Sequence, residues 1–76
     1  MNLWKIERTD PVHYDETAGA VIAAETEQRA RKIAHDELVG DQDPNVWFAP
    51  TTEVTWIGVA LPEMGSGIIL TDFRAG

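Results

Sequence analysis

The sequence predicts an α+β fold, two layers deep: a mainly antiparallel sheet of about four strands with one helix on one face, in the order β-β-α-β-β. Three observations carry this. The N-terminal segment shows the two-residue apolar period of a half-buried strand, and one central segment shows the helical period with caps at both ends. The chain has 76 residues and no cysteine, which suits a single domain, residues 1–76, whose small core must be used fully.

Strand one is Leu3 to Arg8, where Trp4 and Ile6 alternate with Lys5 and Glu7. Thr9 to Ala18, with Asp10-Pro11 and Tyr14-Asp15, reads as a turn-rich connection, and Gly19 to Ala24 as strand two. Thr26 is a good N-cap, Glu27 puts a carboxylate in the first turn, and Glu27 with Arg31 makes an i,i+4 pair. The helix should run from Glu27 to Leu38 or Val39 and stop at Gly40. Arg29 stands where a capping box would place Glu or Gln, so that reciprocal bond is missing. On a helical wheel Ala30, Ile33, Ala34 and Leu38 share one arc, while Arg29, Arg31, Lys32 and His35 lie outside with Asp36. This predicts a basic outer helix face. Glu37 projects into the apolar arc, which is satisfied if the last turn overhangs the sheet and the carboxylate stays wet.

Gly40 to Pro50 reads as a loop that carries Trp47 and Phe48, both too apolar to leave in water without a reason. Thr52 to Leu61 and Gly67 to Phe73 read as strands three and four, joined across Pro62 to Ser66 as a hairpin. Val54, Trp56 and Ala60 oppose Ile57, Val59 and Leu61, so both faces of this pair are apolar. One helix covers one face. The second face calls for cover by the Trp47-Phe48 loop, by the Tyr14 loop, by a second copy or by another protein.

Thirteen acidic against six basic residues give a net charge of −7. The placement is uneven: between Lys32 and Arg74 there is no lysine or arginine, while Asp36, Glu37, Asp41, Asp43, Glu53, Glu63 and Asp72 all fall there. Such a surface repels nucleic acid and anionic membranes and suits a partner with a basic protein surface. The N-terminus lacks the apolar core of a signal peptide, and no apolar run approaches bilayer length. With no cysteine, the expectation is an unprocessed cytoplasmic protein.

Chemistry-bearing motifs are sparse. Asp41-Gln42-Asp43-Pro44-Asn45 opens like a calcium loop, but Val46 stands where glycine must turn the chain and Thr52 where the bidentate glutamate belongs, so it reads as a polar loop. Asp10, His13, Asp15 and Glu16 gather four titratable groups with nothing to fix their geometry, and read as a solvated acidic loop. Ser66 sits in Gly65-Ser66-Gly67, a turn and neither a nucleophile elbow nor a phosphate loop. No catalytic residue, metal site or cofactor is expected. Of the three tryptophans, Trp4 and Trp56 lie on strands and read as core. Trp47, beside Asp41 and Asp43, reads as an exposed aromatic anchor.

Several short stretches carry a likeness: Leu3-Trp4, Arg8-Thr9-Asp10, Tyr14-Asp15-Glu16, the junction from Ala20 to Glu27 with Ala30-Arg31, and the tail from Gly67 to Leu70 and from Phe73 to Gly76. Through them the chain resembles small accessory proteins of actinobacterial phages and prophages. Arg29 and the loop from Asp41 to Asn45 depart from that pattern. The resemblance carries over no activity; it implies a place in the host cytoplasm and a role of the anti-CRISPR kind, as inhibitors of host defence.

Together these observations predict a non-enzymatic binding module or inhibitor for a basic protein surface, such as a nucleic-acid-binding groove of a defence complex. Asp36, Asp41, Asp43 and Glu53 would supply the complementary charge and Trp47 and Tyr14 the apolar anchors. The alternatives are a self-associating protein that forms a homodimer through its sheet, and a weak metal binder around His13.

Overall fold

The computed structural model describes residues 1–10, 12, 16–38, 45–61 and 63–74 and, for Glu16, Phe73 and Arg74, the backbone alone. In chain order come strand β1 (Asn2–Glu7), strand β2 (Glu16–Ala24), helix α1 (Glu27–Glu37), a single 3₁₀ turn (Val46–Phe48), strand β3 (Glu53–Val59) and strand β4 (Gly67–Arg74). This is the α+β fold expected. The strands form one antiparallel sheet in the order β3-β1-β2-β4, with the helix packed on it.

Because β2 and β3 both run antiparallel to β1, they are parallel to each other, and β2–α1–β3 is a helical crossover with β1 inserted between its strands. That placement corrects the hairpin expected for β3 and β4. The two occupy opposite edges, and the segment between them crosses the end of the sheet, where the Ala60 amide donates to the Met1 carbonyl at 2.7 Å. Two strands and a short loop look alike in sequence whether they pair or not. Here β4 pairs with β2, which sets Ile68 opposite Ile22, and Ile68 packs against the core that Ile22 belongs to.

The helix begins as its cap predicts. The Thr26 hydroxyl accepts from the Arg29 amide at 3.2 Å, and at the other end the Leu38 amide still donates to the Ala34 carbonyl at 2.9 Å. Glu37 is exposed, as the overhang required. The core joins Ile6, Ala20, Ile22 and Ala24 of the sheet to Ala30, Ala34 and Leu38 of the helix and to Val46 and Trp47. Alanine on both layers lets helix and sheet approach closely, so Trp47 provides the largest fully buried side chain.

The Trp47 segment therefore joins the helix side of the sheet and does not fold beneath the second face. A further correction concerns Arg31. Its guanidinium turns inward onto the 3₁₀ turn and the side chain is only 12% exposed, so the outer face of the helix is less basic than the wheel suggests. Lys32, also on that face, is paired with Asp36 at 2.9 Å.

Candidate functional site

The residues singled out from the sequence separate in the structure. Asp36 is exposed near the end of α1, where it accepts from Lys32 Nζ at 2.9 Å and lies 3.1 Å from His35 Nδ1. The Lys32 hydrogen bond, followed by that of His35, holds the Asp36 carboxyl below its ordinary value of 3.8. Glu53 is exposed at the first position of β3. Tyr14, Asp41 and Asp43 lie outside the described residues, as do His13 and Asp15. Asp10, part of the same expected acidic loop, is bound by Arg8: Nε to Oδ1 at 2.9 Å and Nη2 to Oδ2 at 2.5 Å. Among the described residues, no group of three or more His, Cys, Asp or Glu side chains is placed to hold a metal ion.

Trp47 is 1% exposed, so it belongs to the core and is not a surface anchor. Among the described residues its indole Nε1 has no hydrogen-bond partner. The segment is held from the helix: Arg31 Nη1 donates to the carbonyls of Trp47 and Ala49, and Arg31 Nη2 to that of Thr52 at 3.0 Å. Thr52, itself buried, returns its hydroxyl to the Val46 carbonyl at 2.6 Å. Phe48, the neighbour of Trp47, leans on the His35 ring with centroids 5.2 Å apart.

The aromatic side chain that does reach water is Trp56, expected in the core and found 55% exposed. The reason is topological. Trp56 lies opposite Trp4 and so shares the helix-side face with it, but α1 packs against β2, β1 and β4, leaving β3 beyond its cover. Trp4 is half-buried with its Nε1 on the Ala24 carbonyl, whereas Trp56 Nε1 reaches the Asn2 side chain at 3.1 Å. Around Trp56 the edge stays apolar and open: Ile57 is 48% exposed, Val59 67% and Leu61 62%. Ala60, between the last two, is tied to Met1, itself exposed, so Val59 and Leu61 flank the point where β3 ends beside the start of β1, and Trp56 and Ile57 precede them along the strand.

Carboxylates stand toward the two ends of β3. Glu53 lies opposite Glu7 across the β3–β1 pair, an unfavourable juxtaposition that Lys5 relieves by binding Glu7 Oε1 at 2.6 Å. The Glu7 hydrogen bond and charge, with Glu53 adding to them, push the Lys5 ammonium above its ordinary value. Glu63, beyond the end of β3, is exposed. The other face of the sheet holds a shallow groove of about 440 Å³ between Lys5, Glu7 and Val21 on one side and Leu70 and Asp72 on the other.

Sequence reasoning marked Ile57, Val59 and Leu61 as an apolar face in need of cover but placed Trp56, which shares their exposure, in the core. One signal was available: from Val54 to Leu61 the chain has no charged residue and no proline, an unusual run for a sheet edge. Comparison of the chain with family models, with curated proteins and with solved structures finds no match.

Proposed function

We propose that this chain is a non-enzymatic binding module that takes a protein partner through an apolar surface rimmed by carboxylates, the partner presenting a basic surface. The observation that carries the reading is the exposure of Trp56, Ile57, Val59 and Leu61 along β3 and just past its end, in a chain of net charge −7. A compact domain with a small core gains nothing in stability by leaving a tryptophan and three aliphatic side chains in water, and an apolar centre with a polar rim is the anatomy of a protein interface. Tryptophan is also among the residues that most often dominate binding energy. Glu53 and Glu63 steer a cationic surface toward that centre and disfavour an anionic one. In the setting that the phage-protein resemblance suggests, the partner is a component of a host defence complex and the module its inhibitor.

Capture from an actinobacterial lysate tests the reading. The immobilised protein should retain a basic protein that elutes as salt is raised, and the double variant Glu53→Lys, Glu63→Lys should retain at least tenfold less of it. Retention that ignores both salt and the charge reversal would count against a basic partner.

A further inference from the structure

We infer that the partner is taken by strand addition: an extended segment, apolar at its centre and carrying Lys or Arg at both ends, pairs with the outer edge of β3 and lengthens the sheet. The inference rests on the reading of the chain as a binding module and states where and how the partner sits.

β3 stands at one end of the strand order, so among the described residues only β1 pairs with it, and its other edge presents backbone N–H and C=O groups to solvent. Folded proteins normally blunt such an edge with charge, with proline or by keeping it short. β3 is 7 residues long and, after Glu53, carries neither charge nor proline. The opposite edge, β4, has both Asp72 and Arg74 near its end. β3 carries a register shift opposite Leu3 and Trp4, a feature that twists an edge, while Glu53 to Trp56 keep regular pairing with β1. The side chains beside the open edge are the apolar ones an added strand would cover, Trp56 and Val59 on the helix-side face.

Charge decides the occupant. Glu53 marks one end of the edge and Glu63 lies beyond the other, and no lysine or arginine occurs between Lys32 and Arg74. Lys5, opposite Thr55, is already held by Glu7. A second copy pairing antiparallel about Trp56 would set Glu53 of each chain opposite Val59 of the other, with Glu63 further along at the same end, so carboxylates of both molecules, each carrying −7, fall at each end of the joint. Cationic ends on the added strand turn the same two positions into attractions.

The probe is a synthetic peptide of alternating valine and threonine with two lysines at each end, compared with the same peptide flanked by glutamates. Binding is followed by amide chemical shifts and hydrogen exchange of the full chain. The lysine-flanked peptide should perturb amides between Glu53 and Leu61, slow exchange there, and bind at least tenfold tighter than its glutamate-flanked counterpart. Val59→Lys, a substitution at an exposed side chain, should abolish binding while leaving the melting temperature within a few degrees. Glu53→Lys should narrow or reverse the preference between the two peptides. Equal affinity for both peptides, perturbation confined to β4 or to the groove beside Val21, or a dimer whose β3 amides are protected without peptide would each overturn strand addition. If Val59→Lys still captures the salt-sensitive basic protein from lysate, strand addition fails while the binding-module reading stands. If the unaltered chain captures none, the reading itself fails.

Discussion

Arg31 donates from Nη1 to the carbonyl of Trp47 at 2.9 Å, joining the outer flank of the helix to the residue that fills its inner side. The same guanidinium also holds the Ala49 and Thr52 carbonyls and the Glu27 carboxylate, which fixes its orientation. These carbonyls belong to a 3₁₀ turn and its exit; that of Ala49 also accepts from the Thr52 amide at 3.0 Å, and Arg31 ties the segment to the helix through all three. Replacing it with methionine keeps most of the side chain's volume and removes every donor. The loss should be about 2–3 kcal/mol, since bonds from a charged donor weigh more than neutral ones and the carbonyls are left underused. In a domain of this size that lowers the melting temperature on the order of 10–20 °C. Arg31→Lys should recover only a small part, because an ammonium cannot span three carbonyls and a carboxylate at once. Thermal unfolding followed by circular dichroism of both variants checks this.

Trp47 and Trp56 exchange the roles that the sequence suggests, and their substitution should show it. Trp47→Ala should cost about 3–5 kcal/mol through the cavity it leaves. Trp56→Ala, at a half-exposed edge position, should cost under about 1 kcal/mol. Trp47→Phe should be milder than the alanine change by more than ring size alone explains. It removes a buried indole N–H that has no partner among the described residues, and such a group costs about 1–3 kcal/mol of desolvation. Urea denaturation of the three variants ranks them. Equal losses for Trp47→Ala and Trp56→Ala would contradict the burial difference.

The order of elements, the helix with its Thr26 cap and the alternation of Trp4 and Ile6 were legible because each is a local pattern that repeats within a few residues. The strand order was not. Whether β4 pairs with β3 or with β2 depends on where the crossover helix delivers β3, and both pairings present the same short-range signals. The fates of the two tryptophans follow from that hidden step: once β3 lies beyond the reach of the helix, Trp56 is exposed, and the segment before β3 is drawn under Arg31 with Trp47 inside. Arg31 itself was misread because a wheel gives the direction of Cβ, and a long side chain can fold back along the helix to a loop it cannot foresee.

Asp36 gives the chain a pH response at its surface. Its folded carboxyl sits below its ordinary value of 3.8 because Lys32, and after it His35, hydrogen-bonds the ionised form. A depressed carboxyl adds stability that is fully present above the unfolded value and is lost as pH falls through the folded one. Asp36→Asn should therefore lower the melting temperature slightly at neutral pH, and the difference from the unaltered chain should vanish once pH falls below the folded value of the carboxyl. Added salt should shrink the neutral-pH difference, since Lys32 and Asp36 are both solvent-exposed. Melting curves from acid to neutral pH at two ionic strengths test both statements.

Gly19 is required by close approach between the two central strands. A Cβ at this position would stand 2.8 Å from the Ile6 carbonyl oxygen, a backbone atom that moves only if β1 moves. The position faces Glu7 across the β1–β2 pair and sits beside the register shift that begins at Thr17, so the sheet is already irregular on one side of it. Gly19→Ala would ordinarily stabilise a strand by limiting the unfolded chain, by about 0.4–1 kcal/mol. Here the backbone clash outweighs that gain, as overpacking typically costs about 1–3 kcal/mol, and the variant should be less stable than the parent. The disturbance should appear as faster amide exchange in β1 and β2 around Ile6, Glu7 and Ala20, with the helix amides from Ala30 to Ala34 little changed. Unaltered or raised stability would mean that β1 can shift freely at Ile6, which the burial of that side chain in the core opposes.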